Sequence, residues 1–228
     1  MNDVIKKLLR ESLNEIANDE IWYHGTPDVT KLEREGGFTH KTMKVQYVTD
    51  LKKYYEVQNN LKLAREEMDE AKYFKYLDMV AQYRDDFEFR KPIFLTNDEA
   101  VARTYADHRR AFDYQNAWEK VLKIKMSNVG KIITIVAKGD RFRFINSNKV
   151  KKGFMNAGIN ERDFDETFNK FTFYQKSKDG IRTDMIAAIG EWFGADIIDV
   201  DGVLDSYNGG SIESTVRMVY DVKLLTII

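Results

Sequence analysis

An α+β fold is expected for this chain, because short strand-like runs alternate with helical stretches in no strict βαβ order and crowd into the C-terminal half. Two runs carry the strand signal early on. Ile21-Trp22-Tyr23-His24 is aromatic and β-prone and is stopped by Gly25-Thr26-Pro27, and Lys91-Pro92 opens the short apolar run Ile93-Phe94-Leu95. The helical signal is strongest over residues 51–90, where Leu61, Met68, Ala71, Phe74, Leu77 and Ala81 recur mostly three or four apart. With 228 residues, 43% of them hydrophobic, the chain is long enough to bury roughly 70% of the surface its unfolded form exposes, as one domain over residues 18–228.

Taken in order, residues 1–17 place Ile5, Leu8, Leu9, Leu13 and Ile16 at helical spacing. They form an expected amphipathic appendage, whose charges at Lys6, Lys7, Arg10 and Glu11 interrupt any signal-peptide apolar region. The strand ending at His24-Gly25 follows, and residues 51–90 read as a helical insertion of one or two helices. After the strand at Ile93, Thr96-Asn97-Asp98-Glu99 has the form of a capping box, which predicts a helix of about ten residues through Tyr105. Trp118 to Met126 and Ile132 to Ala137 read as strands and as candidate neighbours, the second a continuous apolar run suited to a sheet core. Residues 139–180 carry turns, basic side chains at Arg141, Arg143 and Lys149 to Lys152, and a short helix around Arg162 to Lys170. Thr183 caps an expected helix to Phe193, stopped by Gly194. Strands at Asp196 to Leu204, Val216 to Asp221 and Leu224 to Ile228 then close the sheet.

Composition excludes several chemistries. Without cysteine there is no disulfide framework, no Cys-ligated zinc and no thiol nucleophile. A formal net charge of −1 offers no general attraction to nucleic acid or to anionic membrane, and no apolar run approaches the roughly 20 residues of a membrane span. A cytoplasmic protein is expected. Phosphate loops ending in Lys-Ser/Thr, dinucleotide fingerprints, His-Glu-x-x-His and Gly-x-Ser-x-Gly do not occur. His24, His40 and His108 are too scattered to make a zinc site by spacing, and no metal is expected. Ile197-Ile198-Asp199-Val200-Asp201-Gly202-Val203-Leu204-Asp205 resembles the phosphate-transfer signature of the haloacid dehalogenase superfamily. Only 23 residues follow Asp205, too few for the groups that complete such a site, so an Asp-rich strand and turn is the expectation.

What remains is a succession of three segments: Trp22-Tyr23-His24-Gly25-Thr26; then Pro92 to Asn97 with Ala100, Ala102 and Tyr105 behind it; then Met218-Val219-Tyr220-Asp221-Val222. In order and approximate spacing they resemble the His-Tyr-Glu class of ADP-ribosyltransferases, the class that includes poly-ADP-ribose polymerases. The resemblance spans residues 21–228 as a skeleton of weak motifs. It implies a split central β-sheet with flanking helices, with NAD as co-substrate. By the same resemblance His24 donates a hydrogen bond to a ribose hydroxyl of NAD, the backbone of Gly25 meets the nicotinamide carboxamide with Thr26 beside it, and Tyr105 and Phe94 stack on the ring. Nicotinamide in NAD is cationic, so an aromatic face there gains about 0.5–2 kcal/mol.

The third segment departs from the pattern. Aligning Val219-Tyr220-Asp221 puts Val216 in the register where the class carries its glutamate, and the carboxylate of Glu213 lies three residues earlier. Three residues along a regular strand means the opposite face, so Glu213 reaches the site only if a bulge or loop redirects it. The resemblance therefore implies a mono-ADP-ribosyltransferase acting on a macromolecular acceptor, protein by preference, of a toxin-like or phage-effector kind. It would act in a host cytoplasm, with residues 1–17 available to a partner. The alternatives are a disabled module that binds NAD or a partner on the same fold, and an RNA 2′-phosphotransferase using Arg103, Arg109 and Arg110.

Overall fold

The computed structural model describes residues 20–26, 29–107, 120–126, 130–173, 180–207 and 210–228. The helix expected over 1–17 and the side chains of His108, Arg109 and Arg110 lie outside these residues. The chain runs β1 (Trp22–Thr26), α1 (Val29–Arg34), β2 (Thr42–Val48), α2 (Leu51–Glu66), α3 (Glu70–Gln82), β3 (Arg84–Arg90), β4 (Ile93–Thr96), α4 (Glu99–Asp107), β5 (Lys120–Met126) and β6 (Ile132–Val136). It continues through β7 (Phe144–Asn146), α5 (Ser147–Asn156), α6 (Glu161–Phe171), β8 (Gly180–Arg182), α7 (Thr183–Trp192), β9 (Ile197–Tyr207), β10 (Gly210–Val219) and β11 (Leu225–Ile227). A mixed α+β fold results, organised by a seven-stranded sheet in the order β11-β5-β1-β4-β10-β9-β6. All its pairings are antiparallel except β6 with β9.

Alternation along the strands feeds a core on each face. On one, Ile133, Ile135, Ile198, Val200, Val216 and Met218 pack with Phe154, Phe164, Phe171 and Ile186 from α5, α6 and α7. On the other, Trp22, Leu95, Leu122, Ile124, Ile197 and Val219 form a smaller cluster. Strand β6 is an edge strand whose buried Ile133 and Ile135 alternate with exposed Thr134 and Val136. It does not neighbour β5, as the sequence had suggested, because β9 returns from α7 to pair beside it and β5 pairs with β1.

The insertion differs from its expectation in its last seven residues. Residues 51–82 make two helices capped by Asp50 and Asp69, but Arg84–Arg90 is a strand, paired antiparallel with β2. Phe87 and Phe89 on that strand join Tyr47, Phe171 and Trp192 in an aromatic cluster, and Arg90 forms a two-point ion pair with Glu191 at 2.7 and 3.0 Å. The ribbon is thereby fixed to α6 and α7. The buried stripe of the helical pair is Tyr54, Val57, Ala64 and Val80, whereas Met68, Phe74 and Leu77 are exposed. Residues 139–180, expected to hold one short helix, hold two among the described residues. Asn146 and Asn160 cap α5 and α6 by accepting backbone N–H bonds.

Caps elsewhere also move. Asp98, not Thr96, caps α4, its carboxylate accepting from the amides of Ala100 and Val101 at 2.8 and 3.1 Å. Thr183 begins α7 without capping it, because its hydroxyl donates to the Phe142 carbonyl at 2.6 Å.

Candidate functional site

Strand β4 is paired with β10 from Ile93 to Thr96, and β1 is paired with β5 from Trp22 to Thr26. Between β1 and β4 there is a single rung, Tyr23 opposite Thr96. Beyond it the strands diverge toward Thr26 and Ile93, and a cleft of about 520 Å³ opens between them. That is the size of an ordinary small-molecule site. Divergence leaves backbone groups on both strands without ladder partners, and buried ones must find others. The Phe94 carbonyl finds His24, whose Nδ1 donates to it at 2.9 Å.

His24, Gly25, Thr26, Phe94 and Tyr105 all line this cleft. Because a carbonyl only accepts, His24 carries its proton on Nδ1. Burial pushes the imidazole below its ordinary value of 6.5, against the partial opposition of the Phe94 bond, so the ring is neutral and Nε2 is an acceptor. A ribose hydroxyl would therefore donate to His24, the reverse of the polarity the resemblance implies. Phe38 meets the imidazole edge-on, with centroids 5.1 Å apart, and fixes its plane.

Gly25 has a structural reason beyond the expected approach of a carboxamide. A Cβ there would stand 1.8 Å from the Ala102 carbonyl oxygen and 2.9 Å from the Ala106 amide nitrogen. What a side chain would obstruct is the backbone of α4, which crosses β1 at this residue. That close approach brings Tyr105 to the cleft. Its hydroxyl donates to the Asp205 carboxylate on β9, which fixes a ring that is 41% exposed as one wall. Partial burial first, and that bond second, push the phenol well above the ordinary tyrosine range. Phe94 lines the cleft while its ring packs edge-on against Phe142, centroids 5.7 Å apart.

Val216 lines the cleft directly opposite Thr96, and Glu213 does not line it. A bulge does exist, but it falls on β9: Asp201 and Gly202 stand against Thr215 alone, with Gly202 in the left-handed region at φ 69°. Strand β10 keeps its alternation, burying Ser214, Val216 and Met218, and so Glu213 keeps the opposite face. Its Oε1 comes within 3.1 Å of where a Gly202 Cβ would stand. The carboxylates of the Asp-rich run have other partners. Asp199 forms a buried pair with Arg217 at 2.7 and 2.8 Å, and Asp201 accepts from the Thr215 hydroxyl at 2.7 Å.

Asp205, Phe38, Phe142, Lys41 and Lys91 are site residues that the sequence reading did not identify. Asp205 stood in the run read as strand and turn; for the others no motif marks the position. Among the described residues no group of three or more His, Asp or Glu is placed to hold a metal ion, and no helix is long and apolar enough to cross a membrane. No protein family, curated protein or solved structure matches the chain. Chemically, the cleft offers an aromatic wall backed by a carboxylate, a neutral imidazole acceptor and strand edges lacking rungs.

Proposed function

We propose that the cleft binds NAD and that the protein is a mono-ADP-ribosyltransferase with no carboxylate of its own at the reacting ribose. The observation that supports this best is the convergence of His24, Gly25, Thr26, Phe94 and Tyr105 on the one place where the sheet splits. In this reading the nicotinamide carboxamide, which donates and accepts like a peptide, takes up strand groups left without rungs. The cationic ring lies against Tyr105, whose π-face is made more electron-rich by the Asp205 carboxylate. His24 Nε2 accepts from a ribose hydroxyl. The bond from C1′ to the nicotinamide nitrogen breaks, its electron pair leaving with neutral nicotinamide, and an acceptor nucleophile forms the new bond to C1′. Developing positive charge at C1′ needs a carboxylate. With Val216 in the wall, an Asp or Glu side chain of a protein acceptor supplies it and is consumed as nucleophile, which limits the reaction to single transfers.

A second reading, a binding module that holds NAD without cleaving it, is favoured by the same Val216. RNA 2′-phosphotransfer has less support, since Arg103 is occupied by Glu99 at 3.1 Å. The test is to incubate the purified protein with NAD and a lysate, reading nicotinamide release and mass addition. Release that His24→Ala abolishes and Val216→Glu accelerates supports the transferase. Heat stabilisation by NAD with no release from the wild type or either variant supports the binding module. No stabilisation and no release overturns both.

A further inference from the structure

The cleft has two ends, and only one is accounted for by the nicotinamide half of a dinucleotide. Tyr105 reaches Asp205, whose cross-strand partner Ile212 lies four residues beyond Val216, the partner of Thr96. Lys91 stands two residues before Ile93, at the splayed end of β4. The ends are therefore separated by at least the length of β4, roughly 10 Å at about 3.3 Å per residue. At the Lys91 end the backbone amide of Lys91 donates to the Lys41 carbonyl at 2.7 Å, which holds the two lysines side by side on the cleft lining. Among the described residues no ion pair is found to either ammonium. The one carboxylate on the lining, Glu35, accepts from the Thr39 hydroxyl at 3.3 Å. The lining therefore holds two ammonium groups against one carboxylate.

We infer that Lys41 and Lys91 form a pyrophosphate seat, so that the site selects a dinucleotide or ADP-ribose over a phosphate-free nicotinamide riboside. This rests on the reading of the cleft as an NAD site. One ribose separates nicotinamide from the first phosphate in NAD, which matches a ring at Tyr105 and a diphosphate at the far end of β4. Two adjacent ammonium groups are flexible point charges suited to a diphosphate whose oxygens face solvent.

The test is calorimetric titration of the full chain with NAD, ADP-ribose, nicotinamide riboside and inorganic pyrophosphate, at low and high salt. Wild type is compared with Lys41→Gln/Lys91→Gln and Lys41→Arg/Lys91→Arg. The glutamine pair is expected to weaken NAD and ADP-ribose about tenfold or more and to flatten their salt dependence. Nicotinamide riboside should bind it unchanged, which also shows that the variant is folded, and the arginine pair should restore the affinity. NAD bound equally by wild type and the glutamine pair overturns the seat and leaves the NAD reading standing. Lysine-dependent binding of ADP-ribose or pyrophosphate without NAD binding upholds the seat and overturns the NAD reading. Binding of none of the four overturns both.

Discussion

His24 couples the site to pH in a direction that follows from its burial. Its native pKa lies below the ordinary 6.5, so as the pH falls the unfolded chain takes up the proton first. The stability that the neutral ring contributes is whole above 6.5 and is lost as the pH falls from 6.5 toward the depressed native value. Urea denaturation at several pH values should show this decline in the wild type, and His24→Gln should remove it. Ligand affinity should follow the same direction, since protonation turns the Nε2 acceptor into a donor. Gly25 makes the other sharp claim at this scale. Gly25→Ala drives a methyl group into the Ala102 carbonyl, and because the obstacle is backbone, α4 must shift. A loss near the upper end of the overpacking range, about 3 kcal/mol, is expected by denaturant melts, together with loss of NAD-induced stabilisation.

Among the elements, β9 and β10 hold the site's wall through an ion pair that sequence alone disguised. Arg217 and Asp199 are both buried, and the guanidinium lies 4.0 Å from the centre of the Trp22 ring. Arg217→Ala leaves a carboxylate buried without its partner and should cost about 3–5 kcal/mol, whereas Arg217→Met with Asp199→Leu should recover most of it. Thermal unfolding of the single and double variants measures both. Local signals made β1, β4 and α4 legible, because an aromatic run ending in Gly-Thr-Pro and the capping-box form of Thr96 to Glu99 after an apolar run mark their ends, although the residue that caps is Asp98 and not Thr96. The ribbon β2–β3 was not legible, because its strands meet only after the intervening α2 and α3 fold back. Phe87 and Phe89 alternate among charges that continue a helical-looking stretch. Helix α5 was hidden by Gly153, a breaker by propensity. In the fold Gly153 is an approach point, where a Cβ would stand 2.6 Å from the Thr134 carbonyl. The cleft's His, Gly and Tyr were legible as motifs. Its lysines were not, because Lys41 and Lys91 become neighbours only through the β2–β3 pairing.

Across the whole molecule the sheet is two ladders, β11-β5-β1 and β4-β10-β9-β6, joined by Tyr23 opposite Thr96, by α4 lying over β1 and by the cluster in which Trp22, Leu122 and Ile124 pack with Leu95, Ile197 and Val219. If NAD binds in the split as proposed, NAD at about 100 times its dissociation constant should add about 2.7 kcal/mol to global stability by mass action. Hydrogen exchange should show new protection in β1 and β4 together. Protection confined to one of them would mean that the ligand sits elsewhere. The single rung also sets how the cleft admits anything at all. Its width is set at one peptide pair, and both sides of that pair are clamped: the bond from His24 to the Phe94 carbonyl crosses the split, Trp22, Leu122 and Ile124 pack with Leu95, Ile197 and Val219 beneath it, and Tyr105 reaches over to Asp205, so a ligand enters a slot already cut to its gauge.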